Sequence, residues 1–193
     1  MIVHNWGEVD YLKAREMMQN IHSLALKDGQ NHLILCSHPN VFTIGTAEKK
    51  SFDVDVIKSD RGGSITCHSP GQNVYYFCFG VRNPARFYKK VLSAFEDFFM
   101  KYLPEVNYNK KQAGFYIQNR KIASLGFRYS QGVSLHGVAL NVDVDLAFHS
   151  QINPCGLEGI VSTSLHKEGI MLTQKMANEE IVAYLQKSFE DAI

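Results

Sequence analysis

Apolar residues recur every three or four positions in three segments of the chain, and this spacing predicts three amphipathic helices. The first begins after Asp10, a residue type that caps helices well, and ends before Gly29. The second begins near Pro84 and stops before Pro104, because proline cannot continue a helix. The third is predicted near Asn178–Phe189. We interpret the apolar side of the second helix as core rather than as a cofactor site.

Shorter apolar runs that lie between turn residues predict β-strands. These runs are Leu33–Cys36, Val41–Ile44, Val74–Phe79, Gly114–Gln118, Arg120–Phe127 and Leu135–Val142. A stretch rich in loops is predicted between Gly62 and Gly71. Helices and strands alternate without a regular βαβ rhythm, which favours an α/β (α+β) fold with a mixed sheet and packed helices. No repeat, linker or break in composition divides the chain, so residues 1–193 are predicted to form a single domain.

The composition is typical of a soluble globular protein. Of the 193 residues, 45% are hydrophobic and 20% are charged, which argues against disorder. The longest apolar run, Val74–Val81, is too short for the roughly 20 residues of a membrane span, and the N-terminus shows no secretory signal. The cysteines form no CxxC pair; they are Cys36, Cys67, Cys78 and Cys155. We therefore expect free thiols, no metal site and a cytoplasmic location.

Positive charge is concentrated in the middle of a chain whose net charge is only +1. Residues 82–128 contain ten basic and three acidic side chains, a local net charge of +7. Residues 129–193 contain three basic and eight acidic side chains. The basic segment is either a solvated surface or a docking surface for an acidic partner. No nucleic-acid motif accompanies it, so nucleic acid is not an expected partner.

The densest group of candidate functional residues is the segment from Arg61 to Gln72. Its paired glycines allow the backbone to approach a ligand closely, and Arg61 and His68 bring polar side chains to the same loop. The segment matches neither the phosphate-binding pattern GxxxxGK[ST] nor the dinucleotide-binding pattern GxGxxG. Taken alone, His68 is better explained as a packed, hydrogen-bonded histidine than as a catalytic one.

Two further segments carry candidate chemistry. Lys121 opens an apolar strand, and strand alternation predicts that it shares one face with Ala123 and Leu125. A lysine there usually reaches solvent, whereas burial lowers the pKa of a lysine and makes it a base. Cys155 lies in a loop rich in proline and glycine. An exposed thiol there is a candidate nucleophile, whereas a buried one is simply a small hydrophobic residue.

Together, four motifs in this order resemble the lipoyl(octanoyl) transferases of lipoate biosynthesis. The motifs are RGGxxTxHxPGQ from Arg61, KIASLG from Lys121, HGVALN from His136 and PCG from Pro154. The segment His38–Gly45 is similar to the N-terminal motif of that family, and the resemblance extends from about residue 33 to residue 165. It implies the fold of the catalytic domain of biotin and lipoate protein ligases.

The resemblance also implies an activity and its partners. An octanoyl or lipoyl group passes from octanoyl-acyl carrier protein to a lysine of a lipoyl domain, in a 2-oxoacid dehydrogenase complex or in the glycine cleavage H protein. Cys155 is implied as the nucleophile that carries the acyl group, and Lys121 as its activating partner. No cofactor, metal or membrane is implied. The implied substrate-binding residues are Arg61, Gly62, Gly63, Ser64, Ile65, Thr66, Cys67, His68, Ser124, Leu125, Gly126, Gly137, Val138 and Ala139.

Two residues depart from the family pattern. Cys67 stands where the family usually has tyrosine, and Ser69 stands where it usually has glycine. Both changes are expected to reshape the site that holds the acyl chain. That chain is expected to lie in a tunnel lined by apolar residues, namely Leu125, Val138 and Leu157.

Two other functions remain open on the sequence. An ATP-dependent lipoate or biotin ligase shares the glycine-rich loop and the lysine, but it has no need of a nucleophilic thiol such as Cys155. A protein that binds an acyl group without catalysis needs neither Cys155 nor Lys121. Formation of an acyl-enzyme without ATP distinguishes the transferase from both.

Overall fold

The computed structural model describes residues 1–47, 52–152 and 159–190. Within these ranges the helices are α1 (Tyr11–Asp28), α2 (Pro84–Tyr102), α3 (Leu146–His149) and α4 (Gln174–Glu190). The first strands are β1 (Ile2–Glu8), β2 (His32–Ser37), β3 (Val41–Ile44), β4 (Val56–Lys58), β5 (Ile65–His68) and β6 (Gln72–Cys78). The later strands are β7 (Asn107–Asn109), β8 (Gly114–Ile117), β9 (Arg120–Ser130), β10 (Val133–Asn141) and β11 (Val161–Ser162).

The three predicted helices are present as α1, α2 and α4, and the residues at their ends explain where they begin and stop. The Asp10 side chain accepts hydrogen bonds from the N–H groups of Leu12 and Lys13, and Gly29 ends α1 in the left-handed conformation. Asn83 caps α2 in a similar way. Helix α4 begins at Gln174, earlier than predicted.

The predicted strands are also present, and five additional ones correct the sequence prediction: β1, β4, β5, β7 and β11. Strand β5 lies inside the stretch between Gly62 and Gly71 that the sequence predicts to be rich in loops. Strand β1 precedes the first helix and was not predicted. It is an edge strand with mostly exposed side chains, so no alternation of apolar residues marks it in the sequence.

The strands form a large mixed sheet in the order β1-β2-β6-β10-β9-β8-β7, with β11 paired to β9. Strands β1 and β2 are parallel, as are β11 and β9, whereas the other neighbours are antiparallel. A smaller sheet has the order β4-β3-β5. This arrangement confirms the predicted α/β (α+β) class with a mixed sheet and packed helices.

The two faces of the large sheet pack against different helices. One face packs against α2 and α4 through an aromatic core that includes Phe77, Phe95 and Phe115, and we call it the α2 face. The other face packs against α1 through Met18 and Tyr76, among others, and we call it the α1 face. Side chains of a strand alternate between the faces, and the candidate site lies on the α1 face. None of the helices in the described ranges is long and apolar enough to cross a membrane.

Candidate functional site

The Arg61–Gly63 loop lies directly on strand β9. The N–H of Gly62 donates a hydrogen bond to the carbonyl oxygen of Phe127 at 3.1 Å. A Cβ atom at Gly126 would lie 2.8 Å from the carbonyl oxygen of Gly62, closer than a carbon atom can approach without displacing the loop. The absence of a side chain at Gly126 therefore allows the loop to pack against the sheet.

Arg61 holds this loop to the smaller sheet. Its side chain is buried, and its Nη2 atom donates to the carbonyl oxygen of Thr43 at 2.8 Å and to Oγ1 of Thr43 at 2.9 Å. Its Nη1 atom donates to the carbonyl oxygen of Gly62 at 3.1 Å. These hydrogen bonds fix the position of the loop relative to β3 and β9.

A cavity lies between this loop, α1 and the α1 face of the sheet, and we call it the main cavity. It contains about 360 Å³ of empty space, its open mouth included. Small residues of β9 and β10, such as Ser124, Gly126 and Ala139, leave this space open on the sheet. Its lining consists of Tyr11, Arg61, Thr66, His68, Val74, Tyr76, Ser124, Leu125, Gly126, His136, Gly137, Val138 and Ala139.

Leu125 and Val138 border the main cavity, but not with the side chains that the expected tunnel requires. Both belong to the core cluster on the α2 face, and they lie opposite each other in the β9–β10 pair. Since strand side chains alternate between faces, these two residues border the cavity with their main chain. The prediction that their side chains line an acyl tunnel is therefore wrong, and the third predicted tunnel residue, Leu157, lies outside the described residues.

The sequence does not predict that buried aromatic and histidine side chains come together next to the main cavity. His38 Nδ1 lies 2.7 Å from the carbonyl oxygen of Val9, and His38 Nε2 lies 2.8 Å from the Tyr76 hydroxyl. The Tyr11 ring stacks on His68 at 5.7 Å between ring centroids. Tyr11 is the first residue after Asp10 in the first predicted helix, and no local signal links it to His68.

His68 is held as a neutral imidazole. Burial lowers its pKa well below the ordinary value. The Gln72 side-chain amide donates to Oδ1 of Asn141 at 2.9 Å and to the carbonyl oxygen of Cys67 at 3.1 Å. The Gln72 Oε1 atom is therefore an acceptor, and Nδ1 of His68, which lies 2.7 Å away, is the donor. This assignment leaves Nε2 of His68 as a hydrogen-bond acceptor.

Lys121 is buried, with 5% of its surface exposed. Its Nζ atom donates to the carbonyl oxygen of Gln112 at 3.1 Å and lies 5.4 Å from the centre of the Tyr116 ring. A bulge at Ile122 shifts the register between β8 and β9, so that Lys121 lies on the same side as Ser124. The prediction that Lys121 shares a face with Ala123 and Leu125 is therefore wrong; both belong to the core on the α2 face.

Lys121 and Ser124 line a second cavity, which has about 330 Å³ of empty space. Thr66 and Ser124 line both cavities, so the two are neighbours. The second cavity is also lined by Cys67, whose pKa is raised to about 12, mainly by burial. Cys67 is therefore a neutral thiol at neutral pH. The two cavities thus lie side by side, next to a buried amine.

The structure brings most of the predicted site residues together. Thr66, His68, Ser124, Gly126 and Ala139 line the main cavity, with the others given above. Ile65, Cys67 and Lys121 line the second cavity. Gly62, Gly63 and Ser64 are not among the residues that line either cavity in the described part of the chain; they belong to the adjoining loop. Cys155 lies outside the described residues.

His136 and Asp60 form a hydrogen-bonded pair at the edge of the main cavity. Nε2 of His136 lies 2.7 Å from Oδ1 of Asp60, and Arg128 pairs with the other carboxylate oxygen. These hydrogen bonds and charges hold the pKa of Asp60 well below its usual range. In the described ranges, no group of three or more His, Cys, Asp or Glu side chains is arranged to hold a metal ion.

We expect the free energy of unfolding to fall as the pH decreases from about 6.5 to about 4, because histidines are buried without charge. Burial lowers the pKa of His149 to about 4, whereas an unfolded histidine titrates near 6.5. Between these values the unfolded chain binds more protons than the folded one, so acid favours unfolding. Burial shifts the pKa of His38, His68 and His136 in the same direction.

Urea unfolding at several pH values tests this expectation. His149→Gln removes one such group, so its stability is expected to depend less on pH than that of the unmodified protein. The difference is at most about 1.4 kcal/mol per pH unit, the value for one proton. Equal pH dependence of the two proteins would show that His149 does not contribute.

Comparison with known proteins gives a consistent family and fold. Residues 10–190 match the family described as the lipoyl protein ligase A/B catalytic domain. Over 176 residues the chain is 36% identical to the octanoyltransferase of Psychromonas ingrahamii, a match that covers 86% of this chain and 82% of that relative.

Solved structures with much lower identity share the fold. LipL1 of P. falciparum, solved in complex with lipoate, superposes with a TM-score of 0.74 at 13% identity. That match covers 100% of this chain and 63% of the other. A bipartite lipoate protein ligase from Thermoplasma acidophilum superposes with a TM-score of 0.71 at 12% identity, covering 98% of this chain and 84% of the other.

Proposed function

The chain belongs to the lipoyl protein ligase A/B catalytic domain family and, within it, to the octanoyltransferases, and we propose that it transfers the octanoyl group through a thioester on Cys155. Octanoyl transfer makes it an acyltransferase of protein lipoylation. Its partners are an acyl donor and a lipoyl-domain acceptor. The observation that best supports the thioester route is the buried Lys121 amine at a cavity beside the predicted acyl site.

The first half-reaction moves the octanoyl group from the donor to the enzyme. Lys121 takes the proton of the Cys155 thiol, and the resulting thiolate attacks the thioester carbonyl of the donor. A new carbon–sulfur bond forms to Cys155, and the carbon–sulfur bond to the donor breaks. The departing donor thiolate takes the proton back from Lys121. Because a thioester is already activated, this exchange needs no ATP.

The second half-reaction moves the octanoyl group to the acceptor. The amine of the target lysine attacks the Cys155 thioester, and Lys121 accepts a proton from that amine. An amide bond forms while the carbon–sulfur bond breaks, and Cys155 leaves as a thiolate beside protonated Lys121. Lys121 thus handles one proton in each half-reaction.

The main cavity is the proposed site of the octanoyl chain. Ser124, Gly126 and Ala139 provide space on the sheet, and Tyr11 and Tyr76 are part of the lining. Each methylene buried there contributes about 0.8 kcal/mol to binding. Donors with different chain lengths therefore differ measurably in affinity if the cavity limits how much of the chain is buried.

We assign octanoyl-acyl carrier protein as the donor. The acceptor is a lysine of a lipoyl domain, in a 2-oxoacid dehydrogenase complex or in the glycine cleavage H protein. The buried free thiols Cys36, Cys67 and Cys78 suit a reducing compartment, and we assign the cytoplasm.

Mass spectrometry of the whole protein tests the acyl-enzyme. The protein is mixed with octanoyl-acyl carrier protein without ATP, alongside the variants Cys155→Ala and Cys67→Ala. We expect one octanoyl adduct on the unmodified protein and on Cys67→Ala, and none on Cys155→Ala. Cys67 is the matched control, because it is a second thiol near the predicted site that burial keeps protonated.

Other results would overturn the proposal. An adduct that disappears only in Cys67→Ala would move the nucleophile to Cys67. Product that forms only from free octanoic acid with ATP would favour the ligase. Binding of the octanoyl group without product from any donor would favour a non-catalytic acyl-binding protein.

A further inference from the structure

An apolar groove runs beside the first half of α2. It contains about 820 Å³ of empty space, its open side included. Its floor is formed mainly by Ala85, Tyr88, Leu92, Tyr108 and Tyr129. The hydroxyl groups of Tyr88 and Tyr108 lie 2.7 Å apart and hydrogen-bond to each other, which satisfies polar atoms within an otherwise apolar surface.

Two lysines line this groove, and two arginines lie nearby in the sequence. Lys89 and Lys110 line it, and Arg82 and Arg86 are exposed near the beginning of α2. In residues 1–47, 52–152 and 159–190, no carboxylate forms a salt bridge with any of these four side chains. The first turn of α2 contains no acidic residue.

The position of Arg86 is unfavourable for the isolated helix. The N-terminus of a helix carries a partial positive charge that acts within the first turn, so the charge of Arg86, the third residue of α2, is unfavourable there. Asn83 accepts one hydrogen bond from this turn, but no carboxylate of the described residues forms a salt bridge with Arg86. An acidic partner bound in the groove would offset this charge, while apolar side chains of the same partner would cover the tyrosine rings.

Strand β9 connects the groove to the main cavity. Gly126 lines the cavity, and Tyr129 lines the groove three residues further along. Three residues of a strand span roughly 10 Å. Between them, the Phe127 ring packs against Tyr88 at 5.7 Å, and the carbonyl oxygen of Phe127 accepts the hydrogen bond from Gly62. The groove lies on the α2 face of this strand and the main cavity on the α1 face. The groove approaches the second cavity at Lys110, which lines the groove: the carbonyl oxygen of Gln112, two residues further on, accepts the hydrogen bond from Lys121.

We propose that this groove is the docking site of the donor, and that it binds an acidic amphipathic helix of the acyl carrier protein. The inference rests on the octanoyl transfer proposed above. Acyl carrier proteins are acidic, so their charge complements Lys89, Lys110 and the neighbouring arginines. The groove adds an apolar contact that a purely electrostatic surface would lack.

Kinetics with two donors test the groove. The double variant Lys89→Glu/Lys110→Glu reverses two charges at its rim. We expect its kcat/KM with octanoyl-acyl carrier protein to fall about tenfold at low salt, with a smaller fall at high salt. With octanoyl-N-acetylcysteamine, a neutral donor without the carrier, kcat/KM is expected to stay the same. The matched control Lys27→Glu/Lys175→Glu changes the charge equally elsewhere on the surface and is expected to behave like the unmodified protein.

A second variant tests the apolar part of the groove without changing charge. Ala85 is exposed in the first turn of α2, so Ala85→Gln is tolerated by the helix and places a longer polar side chain in the groove. We expect this variant to raise KM for octanoyl-acyl carrier protein severalfold and to leave transfer from the neutral donor unchanged.

Calorimetric titration with octanoyl-acyl carrier protein measures docking separately from catalysis. We expect the unmodified protein to bind more tightly than the Lys89→Glu/Lys110→Glu variant. Equal binding by the two proteins would overturn the proposal that the groove is the docking site, even if transfer is normal. A variant that changes only the KM for the lipoyl-domain acceptor would overturn it as well. Normal docking without transfer from either donor would instead refute the proposed function and retain the groove.

Discussion

Replacing Lys121 by methionine is expected to lower kcat/KM for octanoyl transfer by about 10³-fold while the chain stays folded. The amine is buried at the second cavity, where its Nζ atom donates to the carbonyl oxygen of Gln112. In the proposed mechanism it moves one proton in each half-reaction, and methionine can move none. Methionine has nearly the same length, so it fills the space of the aliphatic part of lysine.

The pH dependence of the loss distinguishes proton transfer from a structural effect. An ordinary cysteine titrates near pH 8.5, so raising the pH produces thiolate without help from Lys121. The ratio of the rates of acyl-enzyme formation, unmodified protein over Lys121→Met, is therefore expected to shrink between pH 7 and pH 9. Stopped-flow or quenched mass spectrometry measures these rates, and urea unfolding checks that the variant is folded. A loss below tenfold, or a ratio that does not change with pH, would contradict the assignment.

The local parts of the fold were predictable from the sequence because their signals are local. Asp10 and Asn83 cap helices that also have apolar stripes, and proline limits α2 on both sides. Strand β1 has no such signal, because its side chains are mostly exposed at the edge of the sheet. The order of strands in the sheet depends on contacts between residues distant in sequence, which apolar periodicity does not encode.

The candidate site was predictable in part. The family resemblance selected Thr66, Ser124 and Ala139, which come from three different strands and line one cavity. Periodicity alone placed Lys121 on the wrong face, because the extra residue at the Ile122 bulge reverses the alternation. A single bulge changes which side chains reach a site, and the sequence gives no sign of it.

The buried polar residues around the main cavity were the hardest part to predict. His38, His68 and Tyr11 come from separate elements, and they meet only when α1 and β5 pack against the sheet. In the sequence each of them has an ordinary local explanation: His38 lies in a turn, His68 is a packed histidine, and Tyr11 belongs to the apolar side of a helix. Their contacts with one another, and the place of Tyr11 and His68 in the wall of the cavity, are a consequence of tertiary packing.

Replacing Gly137 by alanine is expected to lower the free energy of unfolding by about 3 kcal/mol. Gly137 lies in β10, which pairs with β6 on one side and with β9 on the other, at the centre of the large sheet. A Cβ atom at this position would overlap the carbonyl oxygen of Tyr75 and lie 2.6 Å from Cδ2 of Phe77. Both residues are fully buried, so neither can move without separating β6 from β10.

Gly80→Ala is the matched control for this effect. A Cβ atom at Gly80 would have no atom within 4 Å, and Gly80 is exposed, so we expect its stability to change by less than about 0.5 kcal/mol. Urea unfolding of both variants measures the difference. Because Gly137 also borders the main cavity, strands that separate to accept alanine would change the proposed octanoyl site as well. Equal stabilities of the two variants would mean that β6 and β10 are farther apart than the structure places them.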